Sequence, residues 1–247
     1  MEYATSSRSN HLNMSQIQKF YAGQNIFITG VTGFLGKILL EKLLRCCPEI
    51  GTIYVLIRAK KGKSAEERID ALLLDPVFDV LRSDYPDFSK QIVGVIGDIA
   101  VDGLGLSPTD HARLINEVSV IFHLAATVRF NEKLDSAVAI NVNSVKYIVD
   151  IAKACKNLKA GIYVSTAYSN CVRKSINEEL YPPPLSFEGV NKLIGDIGKK
   201  TSEWSEKEIV LGEWPNTYSF TKAIAEGVIA EYAQEMPFAV FRPSIGK

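Results

Sequence analysis

Residues 29–36, Thr-Gly-Val-Thr-Gly-Phe-Leu-Gly, constrain this chain more than any other stretch. They follow a short apolar run, residues 25–30 (NIFITG), and open an amphipathic segment, residues 34–47, that Pro48 stops. Glycines three apart at a strand-to-helix turn have separate physical jobs. Gly30 at the strand end permits the tight turn, Gly33 lets backbone approach a diphosphate, and Gly36 lets the helix pack on the strand. The helix N-terminus then offers free N–H groups and the positive end of its dipole to that diphosphate. A glycine triplet alone says little, but at a first strand-to-helix turn it points to a dinucleotide site. Thr29, Gly30, Thr32, Gly33, Phe34, Leu35 and Gly36 are therefore the candidate cofactor loop.

The rest of the chain repeats that unit. Apolar runs at 52–58, 91–97, 119–125, 161–166 and 238–243 read as strands. Helices are predicted over 64–74, 107–116, 133–156 and 218–234. Ser64 and Glu67 form a capping box for the first of these, and Pro108 sits in the first turn of the second. Strands that lack strict alternation and are separated by helices make a parallel sheet covered on both faces. The expected fold is α/β, a doubly wound Rossmann-type sheet. Residues 172–216 break the rhythm with Pro182–Pro184 and two helical patches, and read as an insertion over the ligand face. The polar residues 1–16 read as a disordered start, leaving 17–247 as one domain.

Composition narrows the function. Hydrophobic residues make up 47% of the 247 and charged residues 23%, enough for a globular core. Lys and Arg total 28, as do Asp and Glu, so the net positive field expected of a nucleic-acid binder is missing. Cys46, Cys47, Cys155 and Cys171 form no C-x-x-C pair, which argues against a metal site and fits reduced thiols in an intracellular protein. No apolar run reaches the ~18 residues of a membrane span. Oligomeric state is not written in these features.

NAD and NADP are distinguished at the end of the second strand, about 20 residues past the glycines. An acidic residue there would bind ribose hydroxyls; this chain has Arg58, then Ala59, Lys60 and Lys61. A guanidinium can grip a 2′-phosphate bidentately, so the reading favours NADPH over NADH, with a solvated basic turn as the competing reading. Asp98 and Ile99 follow the third strand and suit an adenine amino group and ring, although Asp is also common in Asx turns. Ala125 and Ala126 would let backbone run beside the cofactor ribose, and His123 before them reads as a packed core histidine.

Tyr218 and Lys222 lie one helical turn apart on one face. Reduction of a carbonyl by hydride leaves an oxyanion that needs a proton. A phenol of pKa ~10 gives one up slowly at neutral pH, and a neighbouring ammonium is expected to lower that value. Tyr218 and Lys222 are thus candidates both for catalysis and for holding the cofactor. Thr166, or alternatively Ser165, at the end of the fifth strand would hydrogen-bond the substrate oxygen. Asn141 either ties a water to Lys222 or is structural.

Together these segments resemble the extended short-chain dehydrogenase/reductase superfamily. They are closer still to the fatty acyl-CoA reductases, the male-sterility type. The resemblance rests on FITGVTGFLGKILLEKLLR, IYVLIRAKKGKS, HLAATVRFNEKLDSAVAINV, YVSTAYSN and NTYSFTKAIAE followed by FRPSI, most of residues 17–246. It implies a reductase that takes long-chain acyl-CoA to the alcohol with two NADPH, using Thr166, Tyr218 and Lys222. It also implies a peroxisomal or endoplasmic reticulum location. Proteins of that family are longer, so a seventh strand, much of the acyl pocket and the C-terminal domain are expected to be absent here, leaving the sixth strand with an open edge. Two other readings stay open: a reductase of a ketone or sugar nucleotide, and a non-catalytic NADP(H)-binding module.

Overall fold

Six apolar runs form the sheet. In the computed structural model, which describes residues 14–58, 62–197 and 211–246, the strands are β1 (Ile26–Thr29), β2 (Ile53–Ile57), β3 (Ile92–Ile96), β4 (Val120–His123), β5 (Ala160–Val164) and β6 (Phe238–Phe241). All pair in parallel in the order β3-β2-β1-β4-β5-β6. The order reverses between β1 and β4, so their carboxyl ends open a crevice there.

The helices are α1 (Gln16–Tyr21), α2 (Phe34–Cys46), α3 (Ala65–Leu73), α4 (Asp79–Asp84), α5 (Pro108–Glu117), α6 (Leu134–Val138), α7 (Ser144–Ala154), α8 (Phe187–Ile197) and α9 (Thr217–Tyr232). Alternate strand residues serve opposite layers. Ile26, Ile28, Ile53 and Val55 pack with Leu40 and Leu43 of α2 and Ile69 of α3. Phe27, Tyr54 and Leu56 pack with Leu114 of α5 and Ile148 and Ile151 of α7. A third cluster joins Tyr163 of β5 to Phe220, Ile224 and Val228 of α9.

The structure corrects several sequence expectations. Residues 14–16 are ordered, because Ser15 caps α1 in a capping box with Gln18; residues 1–13 of the expected disordered start lie outside the described residues. The single helix expected over 133–156 is divided by a π-helical turn at Ala139–Asn143, which periodicity alone does not reveal. The insertion, where it is described, packs on α9, the helix that carries Tyr218 and Lys222. Pro183 fills the space at Gly227 that a Cβ would take, and Val190, Leu185 and Phe187 join the α9 cluster. Its second helical patch lies outside the described residues. No helix among the described residues is long and apolar enough to cross a membrane.

Candidate active site

The glycine loop and the strand after it meet at the crevice. Gly30 has φ +81°, and a Cβ there would stand 2.7 Å from the backbone nitrogen of Ala125. Gly36 has no room for a Cβ either, with Val31 Cα at 2.7 Å. Gly33 is the N-cap of α2 and brings no side chain to cap its first-turn amides, while Thr32, Phe34 and Leu35 are exposed beside it. The cradle therefore fits a dinucleotide diphosphate: open backbone donors, a helix dipole and no Cβ in the way. Thr29 differs from expectation. It is fully buried, and its hydroxyl is bound to His123 Nδ1 at 2.7 Å and accepts from Ala125 N at 3.2 Å. Its side chain thus braces the loop rather than facing a ligand. His123 is the packed histidine expected, with Ser144 Oγ 3.1 Å from Nε2 and burial pushing its pKa down to about 3.

At the far end of β2, Arg58 is 72% exposed and its Nη1 lies 3.9 Å from Asp98 Oδ2. Its carbonyl accepts from Arg68. Lys60 and Lys61, expected to add charge, lie outside the described residues, as does Ala59. Asp98 forms the Asx turn, accepting from Ala100 N at 3.0 Å, and still holds Oδ2 toward Arg58. Ile99 is half-buried against the α5/α7 layer, and Ala125 and Ala126 are half-buried after β4.

Across the crevice, Asn216 caps α9 by accepting from Ser219 N at 2.8 Å, which puts Tyr218 in the first helical turn. Lys222 follows one turn later, only 2% exposed. Its Nζ donates to the Val164 carbonyl at 2.7 Å and sits 4.3 Å from the centre of the Tyr163 ring. Burial pushes the Lys222 pKa down to about 7, against the pull of Glu226. Tyr218 differs from expectation: its pKa is raised, because burial outweighs the lowering effect of its hydrogen-bonding neighbour Thr166. The ammonium expected to depress it is instead committed to the end of β5. Of the two hydroxyls left open, Thr166 is the hydrogen-bonding neighbour of the phenol, whereas Ser165 Oγ donates to Glu226 at 2.5 Å. Asn141 is structural: it accepts from Thr127 N at 2.9 Å and donates to Thr127 O and to Thr221 Oγ1 at 3.1 and 3.0 Å.

Two residues escaped the sequence reading. Phe130 is 64% exposed with its ring 6.0 Å from that of Tyr218. Glu226 is buried with four side chains bonded to its carboxylate. Its signal was present, as a lone acid at i+4 from Lys222 on an otherwise apolar helix face.

The family model described as male sterility protein matches residues 28–245. Fatty acyl-CoA reductase 1 of Rattus norvegicus is 43% identical over 239 residues, covering 94% of this chain and 45% of its own. Fatty acyl-CoA reductase wat of Drosophila melanogaster is 44% identical over 231 residues, covering 94% and 44%. The chain thus spans less than half the length of these curated relatives. Among solved structures, the terminal R domain of the myxalamid PKS-NRPS biosynthetic pathway superposes with TM-score 0.63 at 26% identity, over 90% of this chain and 49% of that one. The reductase domain of a Mycobacterium tuberculosis non-ribosomal peptide synthetase gives 0.61 at 26%, over 90% and 48%. With residues 28–245 matched, a range that holds both the glycine cradle and the Tyr-Lys helix, the chain belongs to the male sterility protein family.

Proposed function

We propose that this chain is the reductive unit of an NADPH-dependent fatty acyl-CoA reductase, taking a long-chain acyl-CoA through the aldehyde to the primary alcohol. The observation that carries the reading is the convergence of Thr166, Tyr218 and Lys222 at the carboxyl end of β5. The relatives named as fatty acyl-CoA reductases supply the substrate class. The choice of NADPH rests on Arg58, whose exposed guanidinium suits a 2′-phosphate.

When bound, NADPH supplies hydride, one equivalent to the thioester and a second to the aldehyde. Tyr218 holds the proton that the substrate oxygen takes up, and the Thr166 hydroxyl holds that oxygen by a hydrogen bond. Lys222 is fixed by one N–H to Val164 and keeps its other N–H groups for the cofactor ribose. Overall, acyl-CoA, two NADPH and two protons give alcohol, free CoA thiol and two NADP+.

The test mixes the purified chain with NADPH and palmitoyl-CoA, follows nicotinamide absorbance and extracts the products. We expect hexadecanol, with Tyr218→Phe slower by about 10²–10⁴-fold and NADPH still bound. Aldehyde without alcohol would mark a single-hydride enzyme. NADPH binding with no turnover would leave a binding module and sink the reductase reading.

A further inference from the structure

Glu226 lies one turn beyond Lys222 and is 1% exposed. A buried carboxylate persists only where its charge and lone pairs are met. Here Oε1 accepts from Ser165 Oγ at 2.5 Å, Ser169 Oγ at 2.8 Å and Arg242 Nε at 2.9 Å. Oε2 accepts from Arg242 Nη2 at 2.7 Å and Asn170 Nδ2 at 3.2 Å. Three of these donors belong to the segment leaving β5, immediately around Thr166. Arg242, just past β6, also donates to the carbonyls of Asn177 at 3.1 Å and Glu179 at 2.8 Å, inside the insertion.

We propose that Glu226 is a positioning residue of the reductive site: its carboxylate ties the Thr166 end of β5 to the helix that carries Tyr218 and Lys222, and so holds the Thr166 hydroxyl against the Tyr218 phenol. A core built for stability alone would gain as much from an apolar side chain here. What the carboxylate adds is direction, since each donor must approach it along a lone pair. This deepens the reductase reading and rests on it for the kinetic arm of the test alone.

The groups facing Tyr218 are Tyr163 of β5, Thr166 just past that strand and the uncharged Phe130 from the loop after β4, while the cation of its own helix, Lys222, is committed to the Val164 carbonyl. The phenol can be titrated by its phenolate absorbance, with Tyr218→Phe as the difference reference. Glu226→Gln removes the charged clamp, and Ser165→Ala removes only its tie beside Thr166, leaving the Glu226–Arg242 pair. We expect both to raise the Tyr218 midpoint, by about half a pH unit or more in Glu226→Gln, because the lowering contact with Thr166 is loosened. We also expect kcat to fall about tenfold with the NADPH Kd within about twofold. Loss of a negative charge by itself would move the phenol downward. A downward or unchanged midpoint in folded variants therefore overturns the proposal. If Glu226→Gln does not fold, Ser165→Ala decides. Failure of the wild-type chain to turn over acyl-CoA would remove the reductase reading, while the midpoint would still decide the role of Glu226.

Discussion

His123 is enclosed between Thr29, Ser144 and the stacked ring of Tyr163, and its pKa is held at about 3. In the unfolded chain an imidazole titrates near ~6.5. Between those values the unfolded chain binds the extra proton, so this contribution to stability is present above pH ~6.5 and is lost as pH falls toward 3. At pH 4.5 the loss is on the order of 2–3 kcal/mol. Denaturant melts at pH 7 and 4.5 should show His123→Gln less stable at neutral pH but less sensitive to acid; an equal acid sensitivity would count against this. Arg58→Ala should raise the NADPH Kd about tenfold and leave NADH unchanged, the mark of a 2′-phosphate contact. Residues whose chemistry depends on spacing along the chain, such as Gly30, Gly36, Tyr218 and Lys222, were legible in the sequence. The bonds of the Thr29 hydroxyl and of the Glu226 carboxylate were not, even though the lone acid on its helix face marks Glu226, because their partners lie 94 and 61 positions away along the chain, in His123 and Ser165.

The six strands and the Ser64 capping box follow from local chemistry and are read to within two residues, whereas the short helices α1 and α4 carry too little periodicity to be read. Ser64 caps α3 with Glu67 as its sequence pattern implies, and Ser64→Ala should cost about 1 kcal/mol in a thermal melt without changing cofactor affinity. The loop from β1 to α2 is different, since both its conformation and its clearance demand glycine. Gly30→Ala combines a left-handed φ with a clash against Ala125. We expect a loss of about 1–3 kcal/mol together with NADPH affinity. Retained affinity would show that the loop does not touch the diphosphate. The π-helical turn was invisible because it depends on tertiary demand: Asn141 must reach both Thr127 and Thr221.

At the scale of the whole molecule, β6 is the edge strand of the described sheet, with Phe241 exposed and a groove of about 890 Å³ alongside, lined by Ile176, Leu180 and Val240. An exposed apolar edge invites pairing with another chain. Ala239→Lys, at an outward-facing position of that strand, should lower self-association of the 247-residue chain in light scattering; unchanged scattering would place the contact elsewhere. The strand order has a further consequence in time. β1 is made first yet lies between β2 and β4, and its pairing with β4 joins Thr29 to His123, 94 residues later. At about 5–20 residues per second, translation leaves that edge of β1 waiting on the order of ten seconds. The nascent chain therefore carries a central strand paired on one edge only until β4 emerges. That half-built sheet, rather than the finished one, is where a chaperone has the most to cover.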